Sequence, residues 1–255
     1  MATTPRVLFM HGLESGPAGR KARHCAYHFD AFACPAMESS PFDPTQRRSV
    51  SRWGAPYLMF STIAVAAAWQ RHAVYGHARR MHVVLATSLL ALGGLVPLVR
   101  WRLCASVDSC VQLQREAIET FRPDVVVASS WGGLVALRCI ELGYWDGPSV
   151  LLAPAVAVHG PAALFFSPWH IDLPAAYRQR GETACTVVQG EADELVSPSS
   201  VASMSGRNGL HLELVKDGDH SLNAWLGLSS REDVGAGRLH AMVRRQATAG
   251  TRQAT

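Results

Sequence analysis

Lysine is scarce in this 255-residue chain, which contains two lysines, Lys21 and Lys216, against 22 arginines. Lysine and both acidic residues are absent from residues 44–107, a segment with eight arginines. Outside that segment 20 acidic residues exceed 16 basic ones, so one segment produces the formal net charge of +4. A basic charge confined to one segment, without a recognisable reading motif, gives no reason to expect nucleic acid as a partner.

Metal-ligand spacings such as C-x-x-C are also absent, because the six cysteines stand at irregular positions. These are Cys25, Cys34, Cys104, Cys110, Cys139 and Cys185. We predict free thiols in a reducing compartment, and neither a metal nor a cofactor. The chain starts without the basic, apolar and small-residue pattern of a secretory signal, so we expect a cytoplasmic body that is not secreted.

Strand-like and helix-like segments alternate outside residues 44–107, which predicts a parallel sheet covered by helices. Strands are predicted at 7–10, 124–128, 149–153, 183–189 and 210–215, and helices at 19–33, 109–121, 132–142, 197–205 and 231–246. Gly143 is placed to cap the third of these helices. The body that contains this sheet is therefore expected at 1–43 and 108–247, with a disordered tail at 248–255.

The segment 44–107 contains two uncharged runs, 54–70 and 81–99. Each is close to the ~20 residues that cross a hydrocarbon core, and the arginine distribution would keep the body on the cytoplasmic side. One interpretation is a helical hairpin that contacts a membrane through both runs. The alternatives are a helical lid over the active site, or translated non-coding sequence from a GC-rich gene.

Ser130 stands where a buried strand changes abruptly into a helix. The pattern Ala128-Ser129-Ser130-Trp131-Gly132 resembles G-x-S-x-G, in which small flanking residues let the strand and helix backbones approach and the serine is held above the sheet. Choosing Ser129 would place Val127 and Trp131 at the crowded positions. The pattern therefore favours Ser130 as a nucleophile.

Asp193 and His220 each follow a later predicted strand, and catalytic groups of α/β sheets gather at the carboxyl ends of strands. A serine hydroxyl needs a base, and the imidazole needs a carboxylate to hold its tautomer. We predict His220 as the general base and Asp193 as its orienting acid. Glu191 and Asp219 are weaker candidates for the same role, because Glu191 is too close to the strand end and Asp219 adjoins the histidine.

An oxyanion intermediate would need two backbone N–H donors. Trp131, which follows the nucleophile, and Leu13, in the turn after the first strand, are the predicted donors. Gly12 would let that turn approach closely. His11 is predicted to support the turn rather than act as a second base.

These motifs resemble the α/β-hydrolase superfamily, and most closely a small esterase branch that begins with a strand and an H-G-x-x-S-x-P turn, here residues 11–17. The resemblance covers residues 6–43 and about 108–245. It implies a three-layer α/β-hydrolase fold, with a mostly parallel sheet flanked by helices, plus the inserted hairpin. It also implies cofactor-free hydrolysis of a small-molecule ester through an acyl-enzyme.

Two alternatives remain at this stage: a catalytically inactive binding module with the same fold, and an amide or peptide hydrolase of the same superfamily. The departures from the family pattern are Ala128 and the long insertion.

Overall fold

The structure, a computed structural model, describes residues 4–13, 15–37, 77–166, 168–228 and 237–251. The chain divides into two units, one formed by residues 1–39 and 107–255 and the other by residues 40–106. The first unit contains the sheet and the helices that pack on it. It is this unit that holds the predicted site residues.

Six parallel strands form the sheet of the described residues. They are β1 (Val7–Met10), β2 (Phe32–Ala33), β3 (Val125–Ser129), β4 (Ser149–Leu152), β5 (Cys185–Gly190) and β6 (His211–Val215). Their spatial order is β2-β1-β3-β4-β5-β6, and every neighbouring pair is parallel. The predicted parallel α/β architecture is confirmed, and it brings the carboxyl ends of β3, β5 and β6 to one edge.

The helices of the described residues lie between and after these strands. They are α1 (Arg20–His28), α2 (His77–Phe121), α3 (Trp131–Glu141), α4 (Ala175–Gln179), α5 (Pro198–Arg207), α6 (Asn223–Leu226) and α7 (Leu239–Thr251). A short 3-10 helix also occupies Gly160–Leu164. Gly143 follows α3 with a φ of 73°, as its predicted capping role requires.

Successive side chains of a strand point to opposite faces of the sheet. Both sets are buried here, because helices cover both faces. Val7, Phe9 and Val127 share one buried apolar cluster with side chains of α1 and α7. Helix α3 contacts β1 and β3 but contributes nothing to that cluster, which places it on the opposite face. The predicted three layers are therefore present.

Several predicted boundaries are wrong: the helix predicted at 109–121 is the last part of α2, the helix predicted from 231 begins at Leu239, and two further boundaries have a packing reason. The first helix was expected at 19–33, but it ends at His28 because Phe32 and Ala33 pair with β1 as an edge strand. The disordered tail was expected from 248, but α7 continues to Thr251. Ala247 of that helix is buried in the apolar cluster, so packing extends the helix beyond its predicted end.

The insertion contains one described helix. The run 81–99 lies within α2, which is 45 residues long, has Pro97 inside it and enters the first unit at residue 107. The first arm of the predicted hairpin, 54–70, lies outside the described residues. No helix in the described part of the chain is long and apolar enough to cross a membrane, and the predicted membrane contact stays a prediction.

The cysteines are free thiols, as predicted. Burial raises the pKa of the Cys34 thiol to about 12, and it raises the pKa values of Cys25 and Cys185 still further. These three groups therefore stay protonated at neutral pH. A thiolate nucleophile is not available from them.

Candidate active site

Ser130 occupies a sharp turn between β3 and α3. Its φ of 54° and ψ of −115° lie outside the regions that side chains ordinarily adopt, so the turn holds this residue in a strained conformation. The Ser130 N–H donates to the carbonyl of Leu152 at 2.8 Å, which ties the turn to strand β4. The hydroxyl is thereby held at the carboxyl end of the sheet.

Small residues after Ser130 make this turn possible. A Cβ at Gly132 would collide with the backbone carbonyl of Met10 and would lie 2.7 Å from the carbonyl oxygen of His11. A Cβ at Gly133 would lie 2.8 Å from the Cα of Pro154. Both positions therefore require glycine for the close approach of α3 to its neighbours.

Asp193 lies in the turn after β5, where its side chain is completely buried. One carboxylate oxygen, Oδ1, accepts the backbone N–H groups of Leu195 at 2.9 Å and Val196 at 2.8 Å. The other, Oδ2, accepts the side-chain amide of Gln189 at 2.8 Å and lies 2.9 Å from Nδ1 of His220. Four contacts therefore fix both oxygens.

His220 connects this carboxylate to the serine. Its Nε2 lies 2.9 Å from the Ser130 Oγ, opposite the Nδ1 that faces Asp193. A carboxylate can only accept, so Nδ1 carries the proton and Nε2 offers its lone pair to the serine hydroxyl. The imidazole side chain is 25% exposed, which leaves it within reach of a substrate.

Asp193 remains ionised in this environment. Burial by itself would raise the pKa of its carboxyl, but the hydrogen bonds from His220, Val196 and Gln189 and the charge of His220 hold the pKa below its ordinary value. A negative charge next to Nδ1 stabilises the imidazolium that forms when Nε2 takes a proton.

The rival carboxylates do not contact the imidazole. Asp219 accepts the hydroxyl of Ser221 and the backbone N–H of Leu222. Glu191 is exposed in the turn before Asp193. The predicted partner, Asp193, is therefore the carboxylate that the structure brings to His220.

His11 supports the turn after β1. Its Nε2 accepts the backbone N–H of Met37 at 2.8 Å, so the proton is on Nδ1, which donates to the carbonyl of Gly12 at 2.8 Å. Burial lowers the pKa of His11, which keeps the ring neutral. With both nitrogens engaged, the ring fixes the backbone of the turn.

The two expected oxyanion donors belong to the turn after β1 and to the residue that follows the nucleophile. Leu13 lines the same cavity as Ser130, and Trp131 begins α3, where the first N–H groups of a helix have no acceptor within the helix. A Cβ at Gly12 would lie 3.5 Å from the Ser130 Cβ, an ordinary contact distance. The turn does approach the serine closely, but glycine is not required there for steric reasons.

A cavity of about 470 Å³ opens on the serine and histidine. Its apolar lining comes from Phe9, Leu13, Ala22 and Leu195. Among the described residues, Arg20 and Lys21 at the start of α1 supply the charged part of its lining. A small organic substrate fits a cavity of this size and composition.

Among the described residues, three histidines form a group whose ring nitrogens lie close enough together to be considered as metal ligands. His24, His28 and His240 place ring nitrogens within 4.8 Å of one another. The rings of His28 and His240 are stacked, with centroids 4.1 Å apart and planes inclined by 15°. Because a ring nitrogen binds a metal in the plane of its ring, stacked rings do not direct their lone pairs at one ion. The observed arrangement is a stack of His28 on His240, with the ring of His24 tilted against both.

Several groups that shape the site were not predicted from the sequence. Gln189 is a buried polar residue within an apolar strand, which is a signal that could have identified it as a partner of Asp193. The N–H donors of Leu195 and Val196 come from backbone, so the residue types carry no signal. Arg20 and Lys21 have no distinguishing pattern before α1 is placed beside the nucleophile.

No family model matches the chain, and no curated protein matches its sequence. Solved structures are similar. A proposed YdeN-like hydrolase from Pectobacterium atrosepticum is 13% identical over 96% of this chain and 90% of its own, with a TM-score of 0.51. A monoacylglycerol lipase from Paleococcus ferrophilus is also 13% identical, over 97% of this chain and 96% of its own, with a TM-score of 0.50.

A proposed α/β-superfamily hydrolase from Xanthomonas campestris is 19% identical over 98% of this chain and 99% of its own, with a TM-score of 0.48. At these levels of identity the likeness concerns the fold. The six-stranded parallel sheet flanked by helices matches the α/β-hydrolase fold, as the motifs indicated. The activity of this chain has to be argued from its own site.

Proposed function

We propose that this protein is a serine hydrolase that cleaves carboxylic ester bonds through an acyl-enzyme. The observation that carries the proposal is the continuous chain of two 2.9 Å contacts from the Ser130 Oγ through the His220 imidazole to the Asp193 carboxylate. Nucleophile, base and orienting acid thus stand in the order that acyl transfer requires.

In the first step the Ser130 Oγ attacks the ester carbonyl while Nε2 of His220 takes the hydroxyl proton. The backbone N–H groups of Leu13 and Trp131 would donate to the oxyanion, and removing one such donor raises the barrier by about 3 kcal/mol. The tetrahedral intermediate then collapses. The C–O bond to the alcohol breaks, and the imidazolium of His220 protonates the leaving oxygen.

The second step repeats this chemistry with water. Nε2 takes a proton from a water molecule while the water oxygen attacks the acyl carbon. The bond from the acyl carbon to the Ser130 Oγ then breaks, and the imidazolium gives its proton to that oxygen. Asp193 keeps its negative charge throughout and holds the imidazole in place. The cycle needs no group beyond these side chains and the two backbone donors, and it ends with free acid and enzyme.

Labelling with a fluorophosphonate probe tests the nucleophile, with mass spectrometry of the labelled peptide as the readout. We expect the probe on Ser130 and no labelling of Ser130→Ala. Ser129→Ala, which removes the neighbouring serine, should still be labelled. Ser203→Ala, which removes an exposed serine of α5, is the control for the substitution of a serine as such and should be labelled like wild type.

Turnover of p-nitrophenyl acetate then separates the enzyme from an inactive binding module with the same fold. Wild type should show a burst of p-nitrophenol followed by steady turnover, and Ser130→Ala should show neither. A folded wild-type protein that is neither labelled nor active would overturn the proposal. A panel of matched ester and amide substrates compares the two hydrolase alternatives.

A further inference from the structure

The charged side chains described in the cavity lining all have the same sign. Among the described residues that line it, Arg20 and Lys21 are cationic and stand in the same lining as His220, and none is acidic. We propose that the cavity binds esters that carry a carboxylate group, with Lys21 as the specificity-determining contact and Arg20 in support. This inference rests on the proposed esterase function and adds the substrate class.

The position of these two cations in helix α1 gives the first argument. Arg20 and Lys21 are the first two residues of the helix, and no acidic residue stands in its first turn. The amino end of a helix carries a partial positive charge, so two cations there repel it. A bound carboxylate would relieve this repulsion and would also meet the helix N–H groups that face outward at this end.

The surroundings of Lys21 give the second argument. Asp219 is the acidic group that acts on it, but no ion pair of the described residues joins the two, and the Asp219 carboxylate already accepts from Ser221 and Leu222. Burial lowers the pKa of Lys21 to about 8, against the opposing effect of Asp219. A half-buried ammonium without a contacting carboxylate is unfavourable, and a substrate carboxylate would supply that contact.

The rest of the cavity fits the remainder of such a substrate. Phe9, Leu13 and Leu195 provide apolar contacts, and the cavity volume of about 470 Å³ accommodates a short acyl chain or an aromatic ring. Because Lys21 and Ser130 line the same cavity, one molecule can reach both with its carboxylate and its ester. The apolar walls also strengthen the attraction, since water screens it less there.

Matched substrates test the proposal on either side of the ester. For the acyl side, mono-4-nitrophenyl adipate is compared with neutral 4-nitrophenyl hexanoate, which has the same number of acyl carbons. For the alcohol side, 4-carboxyphenyl acetate is compared with its neutral amide, 4-carbamoylphenyl acetate. The readout is the ratio of kcat/KM for the anionic and neutral members of each pair.

Wild type should prefer the anionic member of at least one pair, and Lys21→Met should lower that ratio by about tenfold or more. Lys21→Arg should keep the preference, because it keeps the charge. Lys216→Met replaces the other lysine, which is exposed on the turn after β6, and should behave as wild type. Each ratio is measured on one preparation, so a partly unfolded variant does not distort it.

Two results would overturn this inference while leaving the esterase proposal intact. One is a wild type that hydrolyses neutral esters without preferring either anionic substrate. The other is a Lys21→Met variant that loses activity equally toward both members of a pair. If wild type hydrolyses no ester and takes no fluorophosphonate label, the proposed function fails and the inference fails with it.

Discussion

Replacing Asp193 by asparagine is the sharpest perturbation of the proposed mechanism, because it changes one charge and almost no volume. The two backbone donors on Oδ1, from Leu195 and Val196, are fixed, so the amide oxygen of an asparagine must take that position. Its NH₂ group then takes the position of Oδ2 and faces Nδ1 of His220. The donor and acceptor roles on the imidazole are thereby reversed.

The consequence is the wrong tautomer of His220. Nδ1 must accept from the new amide, so the ring proton moves to Nε2, which faces the Ser130 Oγ. That nitrogen can no longer take the serine proton. We expect kcat to fall by about 10⁴-fold, or about 5.4 kcal/mol in the barrier, while KM changes little.

Steady-state kinetics with p-nitrophenyl acetate measure this loss, and ¹⁵N-resolved NMR of the histidine ring identifies the tautomer. Asp217→Asn is the matched control, since Asp217 is exposed and its φ of 55° suits asparagine. Asp193→Asn with more than a tenth of wild-type kcat would refute the reasoning. So would an Asp193→Asn protein whose His220 still carries its proton on Nδ1.

Three further predictions concern stability and pH. Gly132→Ala should destabilise the fold by about 3 kcal/mol, because the new methyl group would collide with backbone atoms. Gly206→Ala should stabilise the fold by about 0.5 kcal/mol, because the space around Gly206 in α5 is open. Urea unfolding that ranks the two variants the other way would contradict the packing argument. The pKa of Asp193 is lower in the folded state than its value of about 3.9 in the unfolded chain, so its ionised carboxylate stabilises the fold above that pH. This stability is lost as the pH falls through the folded-state pKa, and the urea midpoints of wild type and Asp193→Asn should therefore draw together at pH 3. A difference between the midpoints that does not change with pH would contradict this linkage. The pKa of Lys21, which faces Arg20, Asp219 and His220, is about 8, so its ammonium loses its proton as the pH rises through 8. The ratio of kcat/KM for the anionic and neutral substrates should fall over the same range. A ratio that does not depend on pH would exclude the ammonium as the cause of the preference.

The sequence could predict that Ser130, Asp193 and His220 come together, because each of them follows a strand whose apolar pattern is local. Ser130, Asp193 and His220 come at the ends of β3, β5 and β6, and a parallel sheet brings such ends to one edge. Their convergence is a property of topology, so the order of strands along the chain was sufficient to predict it.

Other features depend on contacts between distant segments, and the sequence does not encode them locally. Strand β2 has two residues, and its pairing with β1 ends the helix that the sequence alone would extend to 33. The end of α7 depends on packing against the apolar cluster. The cavity that contains Lys21 exists only once α1 is packed beside the turn at Ser130.

Ala128 shows how contacts decide which small residues a motif requires. It departs from the usual glycine, but its Cβ lies in the middle of the sheet, where Ala128 pairs with Met10 and Leu151 and is fully buried. The backbone approach that excludes a Cβ occurs at Gly132, where α3 meets the end of β1. An alanine is therefore accommodated before the nucleophile but not after it. Ala128→Gly should accordingly leave the proposed hydrolysis of p-nitrophenyl acetate unchanged and should lower stability, measured by urea unfolding, by about 1 kcal/mol through the lost methyl group. A large gain in activity would instead show that the alanine distorts the turn.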